Sequence, residues 1–105
     1  MNTNLNLLSI GDLARLKMPI LGEPAGTLAV VYEHYLIGQS AGVSLITENG
    51  VDLGGFSTAE QYTSLERLGT TGMAYQFTNV MNLATDFRRG MFTFKVLGQK
   101  NISQE

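Results

Sequence analysis

The sequence predicts an α+β domain, a bent antiparallel sheet with two helices packed against it. Three observations carry that prediction. The run "TLAVVYEHYLI" (27–37) is β-branched and aromatic without a breaker, as a central strand requires. Asn49-Gly50 lies between two short apolar runs and supplies the positive φ angles of a tight hairpin. Two later segments, 57–68 and 79–89, open on capping residues and continue at helical spacing.

The elements follow in order along a single domain spanning 1–105. Residues 1–6 are Asn-rich and read as a frayed start that becomes ordered near Leu7. "DLARLK" (12–17) reads as a short strand or an extended segment, and Pro19 with "GEPAG" (22–26) then forces a loop. In the 27–37 strand one face carries Leu28, Val30, Tyr32, His34 and Leu36. The other carries Thr27, Ala29, Val31, Glu33 and Tyr35. "GQSAG" (38–42) reads as a loop, "VSLIT" (43–47) as a strand and "VDL" (51–53) as its return, ended by Gly54-Gly55. Ser57 and Glu60 form a capping-box pair, Tyr62, Leu65 and Leu68 continue the helical spacing, and Gly69 stops it. "MAYQFT" (73–78) alternates like a strand. In the second helix Val80, Leu83, Ala84 and Phe87 form an apolar stripe, while Arg88 and Arg89 complement the dipole at its end. "MFTFKVL" (91–97) reads as a last strand, and residues 98–105 as a frayed polar tail.

Composition excludes several classes of function. The 105 residues carry a net charge of −2, with seven Lys and Arg, which argues against bulk attraction to nucleic acid or an anionic membrane. There is no cysteine, so disulfides, thiolate catalysis and Cys-based zinc sites are ruled out together. The N-terminus lacks a basic n-region with an apolar core, and no apolar run approaches the roughly 18 residues of a membrane helix. A cytoplasmic protein is expected, in which the Asn101-Ile102-Ser103 sequon carries no meaning.

Catalytic patterns fail on inspection. Gly38-Gln39-Ser40-Ala41-Gly42 matches the nucleophile-elbow pattern, but strand rather than helix follows it. The single histidine, His34, precedes the serine instead of following it. Asp12, Glu23, Glu48 and Asp52 lack cation-loop spacing, and neither "GEPAG" nor "GTTG" (69–72) is followed by the lysine of a phosphate loop. No nucleophile, base and orienting group can be assembled, so no enzyme, cofactor or metal is implied.

Binding is the expected function. Four tyrosines and five phenylalanines are many for so small a core, and those left exposed would mark a partner or dimer surface. The candidate contact residues are Tyr32, His34, Tyr35 and Ser40 around the 38–42 loop. Arg88 and Arg89, with Lys95 and Lys100, form the one basic cluster. Two readings follow. One is a non-enzymatic interaction module that binds itself as a dimer, or another protein. The other is a domain binding nucleic acid or a small ligand through Arg88 and Arg89.

The stretch from Gly11 to Phe56 ("GDLARLK", a Gly/Pro loop, "GTLAVVYEHY", a loop, "GVSLITENGVDLGGF") resembles the strand–loop–strand–hairpin layout of SH3-like small β-barrels. That resemblance implies a sheet in the form of a partly open barrel, with binding as its role. The two helices depart from the SH3-like pattern and put closure of the sheet in question. "YQFTNVMNLATDFRRGMF" is similar to C-terminal segments of small bacterial proteins of unassigned activity, from which no activity carries over.

Overall fold

The computed structural model describes residues 8–37 and 40–98. Five strands, β1 (Asp12–Leu16), β2 (Leu28–Ile37), β3 (Ser40–Thr47), β4 (Asp52–Ser57) and β5 (Leu65–Thr70), form one antiparallel sheet in the order β4-β3-β2-β1-β5. Helix α1 (Thr58–Ser64) joins β4 to β5, and α2 (Val80–Arg88) follows. The fold is therefore α+β, as expected. The sheet is not closed: β4 and β5 are its two edges and do not pair with each other.

The sheet is nevertheless strongly curved, because all five strands bury side chains in one cluster. Ala14 and Leu16 of β1, Ala29 and Val31 of β2, Val43 and Leu45 of β3, Leu53 and Phe56 of β4, and Leu65 of β5 meet there with Leu8. On the opposite face Leu13, Val30, Tyr32 and Ile46 pack against Tyr75, Leu83 and Phe92 of the C-terminal segment. β2 contributes to both clusters, which explains why its sequence is apolar on both faces.

The predicted hairpin forms at Asn49-Gly50, with Gly50 but not Asn49 at positive φ. Gly50 adopts φ +84°, its N–H donates to the Thr47 carbonyl (2.9 Å), and Thr47 N–H closes the turn on the Val51 carbonyl (2.9 Å). β4 does not stop at Gly54-Gly55, however, but runs on to Ser57. Leu45 pairs with Gly54 and Ile46 with Asp52, so Leu53 is the extra residue of a bulge, which bends the strand without ending it. β3 likewise begins at Ser40, inside the stretch read as a loop.

A second bulge corrects the assignment of faces in β2. Val31 pairs with Leu45 but Glu33 with Ser44, so Tyr32 is inserted and the alternation slips by one residue. Beyond it, Glu33 and Tyr35 share the face of Ser44 and Gly42, while His34 shares that of Val43.

The first helix is shorter than predicted. Its capping box is present: the Ser57 hydroxyl accepts from Glu60 N–H and the Glu60 carboxylate from Ser57 N–H. The bond from Ser57 N–H, and then the Ser57 hydroxyl, hold the Glu60 carboxyl below its ordinary pKa. The helix ends at Ser64, where Leu65 turns extended and pairs with Leu16. Leu65 and Leu68 fit a helical spacing, but their odd separation equally sends them to opposite faces of a strand. Leu65 joins the inner cluster and Leu68 the outer. Pairing with the unpartnered edge of β1 overrides local helical preference.

The strands expected at 73–78 and 91–97 do not form; both segments are irregular. Their alternation is nonetheless real. Met73, Tyr75 and Phe77, then Phe92, Phe94 and Val96, all pack into the outer cluster while Ala74, Gln76, Thr93 and Lys95 stay exposed. An extended chain lying across the face of a sheet has the same period as one paired at its edge. Helix α2 lies beside these segments, its start capped by Asn79, which accepts from Met81 and Asn82 N–H. Leu83 is buried and Phe87 half-buried, whereas Val80 and Ala84, both expected in the stripe, are exposed, Val80 at 65%. Among the described residues no helix is long and apolar enough to cross a membrane.

Candidate functional site

The aromatic candidates on β2 are committed to the fold. Tyr32 is buried and its hydroxyl donates to Asp52 Oδ1 at 2.7 Å, the oxygen that also accepts from Gly54 N–H at 2.9 Å. Its ring lies 5.0 Å from that of Phe77. Burial, and then the Asp52 carboxylate, push its phenol well above the ordinary tyrosine pKa, so it stays a neutral donor. Tyr35 lies over two glycines. A Cβ on Gly42 would stand 2.3 Å from the Tyr35 hydroxyl oxygen, and one on Gly55 2.5 Å from it. The glycines of "SAG" and "LGG" thus make room for an aromatic ring that crosses β3 and β4.

His34 is exposed, on the opposite face from Tyr35. Ser40 starts β3, paired with Ile37, but its side chain lies outside the described residues, as do Gly38 and Gln39. The nucleophile-elbow pattern begins a strand rather than a helix.

The basic candidates sit elsewhere. Arg88 and Arg89 end α2 and are exposed; Arg88 makes a long 3.4 Å contact to Thr85 Oγ1, and Arg89 is the C-cap residue. Phe87 packs beside Gly50, where a Cβ would stand 2.9 Å from its ring, which puts the arginines near the β3–β4 turn. Ser40 is at the other end of β3, and seven rises of about 3.3 Å put its backbone roughly 23 Å along the strand from that turn. The two groups do not form one site. Lys95 is exposed, and Lys100 lies outside the described residues.

A different region has the shape of a binding site. A cavity of about 350 Å³ is bordered by Gln61 and Tyr62 of α1, by Leu65, Glu66 and Arg67 of β5, and by Leu8 and Lys17. It lies between α1 and the edge strand β5. Gln61 is buried there with both ends of its amide satisfied: Oε1 accepts from Leu8 N–H (3.1 Å) and Nε2 donates to the Phe56 carbonyl (3.2 Å). Lys17 reaches across the gap to the Tyr62 carbonyl at 2.7 Å. Arg67 donates through Nε to Asp12 Oδ2 (3.1 Å), which also accepts from Ser9 N–H (2.9 Å). This is the one salt bridge among the described residues, and it anchors a buried carboxylate beside a guanidinium 43% exposed.

The ladder shows which backbone groups face the cavity side. Lys17 N–H bonds to the Ser64 carbonyl of α1, while Leu16 N–H bonds to the Thr27 carbonyl at the start of β2. By antiparallel alternation, Leu16–Leu65 and Ala14–Arg67 are non-hydrogen-bonded pairs, so Leu65 and Arg67 turn their peptide groups away from β1. Leu65 N–H is taken by the Gln61 carbonyl. Leu97 N–H takes the Thr70 carbonyl (2.7 Å) at the far end of the strand, so the edge stands open around Arg67, whose N–H and C=O point outward.

Sequence reasoning misses these residues because Tyr62, Leu65 and Leu68 fit the spacing of one helix. The signal that could have found them is the polar break "LERLG", whose Glu66-Arg67 pair is exposed in β5. The aromatic surplus resolves in a similar way. Of the nine aromatics, Tyr62 is the one left substantially exposed, at 45%, and it borders the cavity. No cluster of three metal-ligating groups occurs among the described residues. The chain matches no protein-family model, no curated protein and no solved structure.

Proposed function

We propose that this protein is a non-enzymatic binding module that takes an extended segment of a protein partner along the open edge of β5. The observation that carries the reading is the coincidence of a stretch of β5 edge around Arg67 that no strand covers, an apolar floor of Leu8 and Leu65, and the exposed ring of Tyr62 at one cavity. An added strand would bond to the outward peptide groups of Arg67, and Tyr62 would cover its side chains. The order of the strands, with a short helical link from β4 to a β5 that returns to β1, supports an SH3-like barrel left partly open. A cytoplasmic setting goes with this reading, in keeping with the absence of cysteine.

Self-association through the same edge is disfavoured by charge. A two-fold pairing that used the outward groups would centre on Glu66 or on Arg67, setting like charges opposite each other. The second reading, nucleic-acid or small-ligand binding through Arg88 and Arg89, is supported by the exposure of both arginines and of Lys95. One experiment separates the readings: affinity capture from native lysate, with and without nuclease, using the tagged chain, Tyr62→Ala and the Arg88→Ala/Arg89→Ala double variant. The edge reading expects a protein that survives nuclease and is lost with Tyr62→Ala alone. Retention by Tyr62→Ala, or nucleic acid lost with the arginine variant, overturns it.

A further inference from the structure

The turn between β3 and β4 holds a reactive pair of residues. In an Asn-Gly sequence the glycine amide nitrogen, once deprotonated, can attack the asparagine side-chain Cγ. A C–N bond forms, ammonia leaves, and a five-membered succinimide remains. Water then opens the ring at either carbonyl, leaving aspartate or isoaspartate. Water enters and ammonia departs, with no oxidant, reductant or cofactor. Glycine hinders the attack least because it carries no Cβ.

In the folded chain both reactants are tied down. Gly50 N–H, the nucleophile, donates to the Thr47 carbonyl at 2.9 Å. The Asn49 carboxamide donates through Nδ2 to Glu23 Oε1 at 3.0 Å, and Asn49 N–H donates to Thr47 Oγ1 at 3.2 Å. The Phe87 ring stands close behind Gly50. Cyclisation therefore waits for the turn to open.

The product cannot regain the closed turn. Glu23 is only 8% exposed, and its position is set by reciprocal backbone bonds with Ile20, each 2.9 Å. Conversion of Asn49 replaces the donor facing Glu23 with a carboxylate, which only accepts, so two like charges meet where a hydrogen bond stood. An isoaspartyl linkage would also lengthen the backbone of a turn that has no slack.

We propose that Asn49-Gly50 is a deamidation site which the closed turn protects, and that conversion there releases the 20–23 loop from the β3–β4 turn irreversibly. The test holds the full chain at mildly alkaline pH, folded and in urea, and follows the peptide spanning 49–50 by mass spectrometry with isoaspartate labelling. Conversion is expected to be roughly tenfold or more slower in the folded chain, and faster in folded Glu23→Ala than in folded wild type. Asn49→Asp is expected to lower the urea midpoint, and adding Glu23→Gln, whose amide can donate to the new carboxylate, to restore it. Equal rates in the folded and unfolded chain, or an Asn49→Asp midpoint unchanged with Glu23 in place, would overturn the proposal.

Discussion

Adding one methyl group at Gly42 or at Gly55 tests whether Tyr35 is what keeps both positions glycine. Both sit in extended strand backbone with no positive φ, so alanine suits the backbone at either. In open space the change would stabilise the protein by about 0.4–1 kcal/mol through the unfolded chain. The surroundings differ, however. At Gly42 the new Cβ would stand 2.3 Å from the Tyr35 hydroxyl oxygen, 2.4 Å from Cζ and 2.7 Å from the Phe56 carbonyl oxygen. Two of these atoms belong to a ring that can swing; the third is ladder backbone that cannot. At Gly55 the nearest atoms, at 2.5 and 3.0 Å, all belong to Tyr35. Gly42→Ala should therefore cost about 1–3 kcal/mol, as overpacking in a fixed frame does. Gly55→Ala should fall near neutral or cost up to about 1 kcal/mol, since displacing the ring offsets the gain in the unfolded state. In a Tyr35→Ala background the two should separate fully. Gly55→Ala becomes stabilising, whereas Gly42→Ala still meets the Phe56 carbonyl. Urea unfolding followed by circular dichroism, with m unchanged, reads all six proteins of the two cycles. If Tyr35→Ala leaves the cost of Gly55→Ala unaltered, or Gly42→Ala is as mild as Gly55→Ala, the packing argument is wrong.

Gln61→Ala strips the partners from a buried amide and a buried carbonyl, Leu8 N–H and Phe56 C=O, and should cost about 2 kcal/mol or more in urea unfolding; a loss under roughly 0.5 kcal/mol would mean that water replaces both bonds. Alkaline stability should depend on Tyr75, whose hydroxyl donates to Asp86 Oδ2 and whose pKa is raised by burial first, then by that carboxylate, to about 12. Because the folded value lies above the unfolded value of about 10, the contribution is complete below pH ~10 and is lost as pH rises toward ~12. The urea midpoint of Tyr75→Phe should accordingly decline less steeply over that interval than the wild-type midpoint, and parallel profiles would refute the assignment.

Local chemistry was legible wherever it was self-sufficient. Asn49-Gly50, the Ser57–Glu60 capping box and the Asn79 cap each satisfy their backbone within a few residues, so nothing distant could override them. The α+β class and the central place of β2 were legible too, because β2's two apolar faces require a cover on each side. Three things awaited the tertiary structure. The bulge at Tyr32 exchanged the faces of His34 and Tyr35, since register belongs to a pair of strands rather than to one. Leu65–Thr70 left the helix for the sheet because β1 had an unpaired edge to offer. The alternation of 73–78 and 91–97 marked burial without pairing, since side-chain period reports extension and hydrogen bonding depends on what lies alongside. The cavity between α1 and β5 follows from the second of these: it exists because the sheet ends there, and an edge is a property of the whole sheet that no single segment of sequence contains.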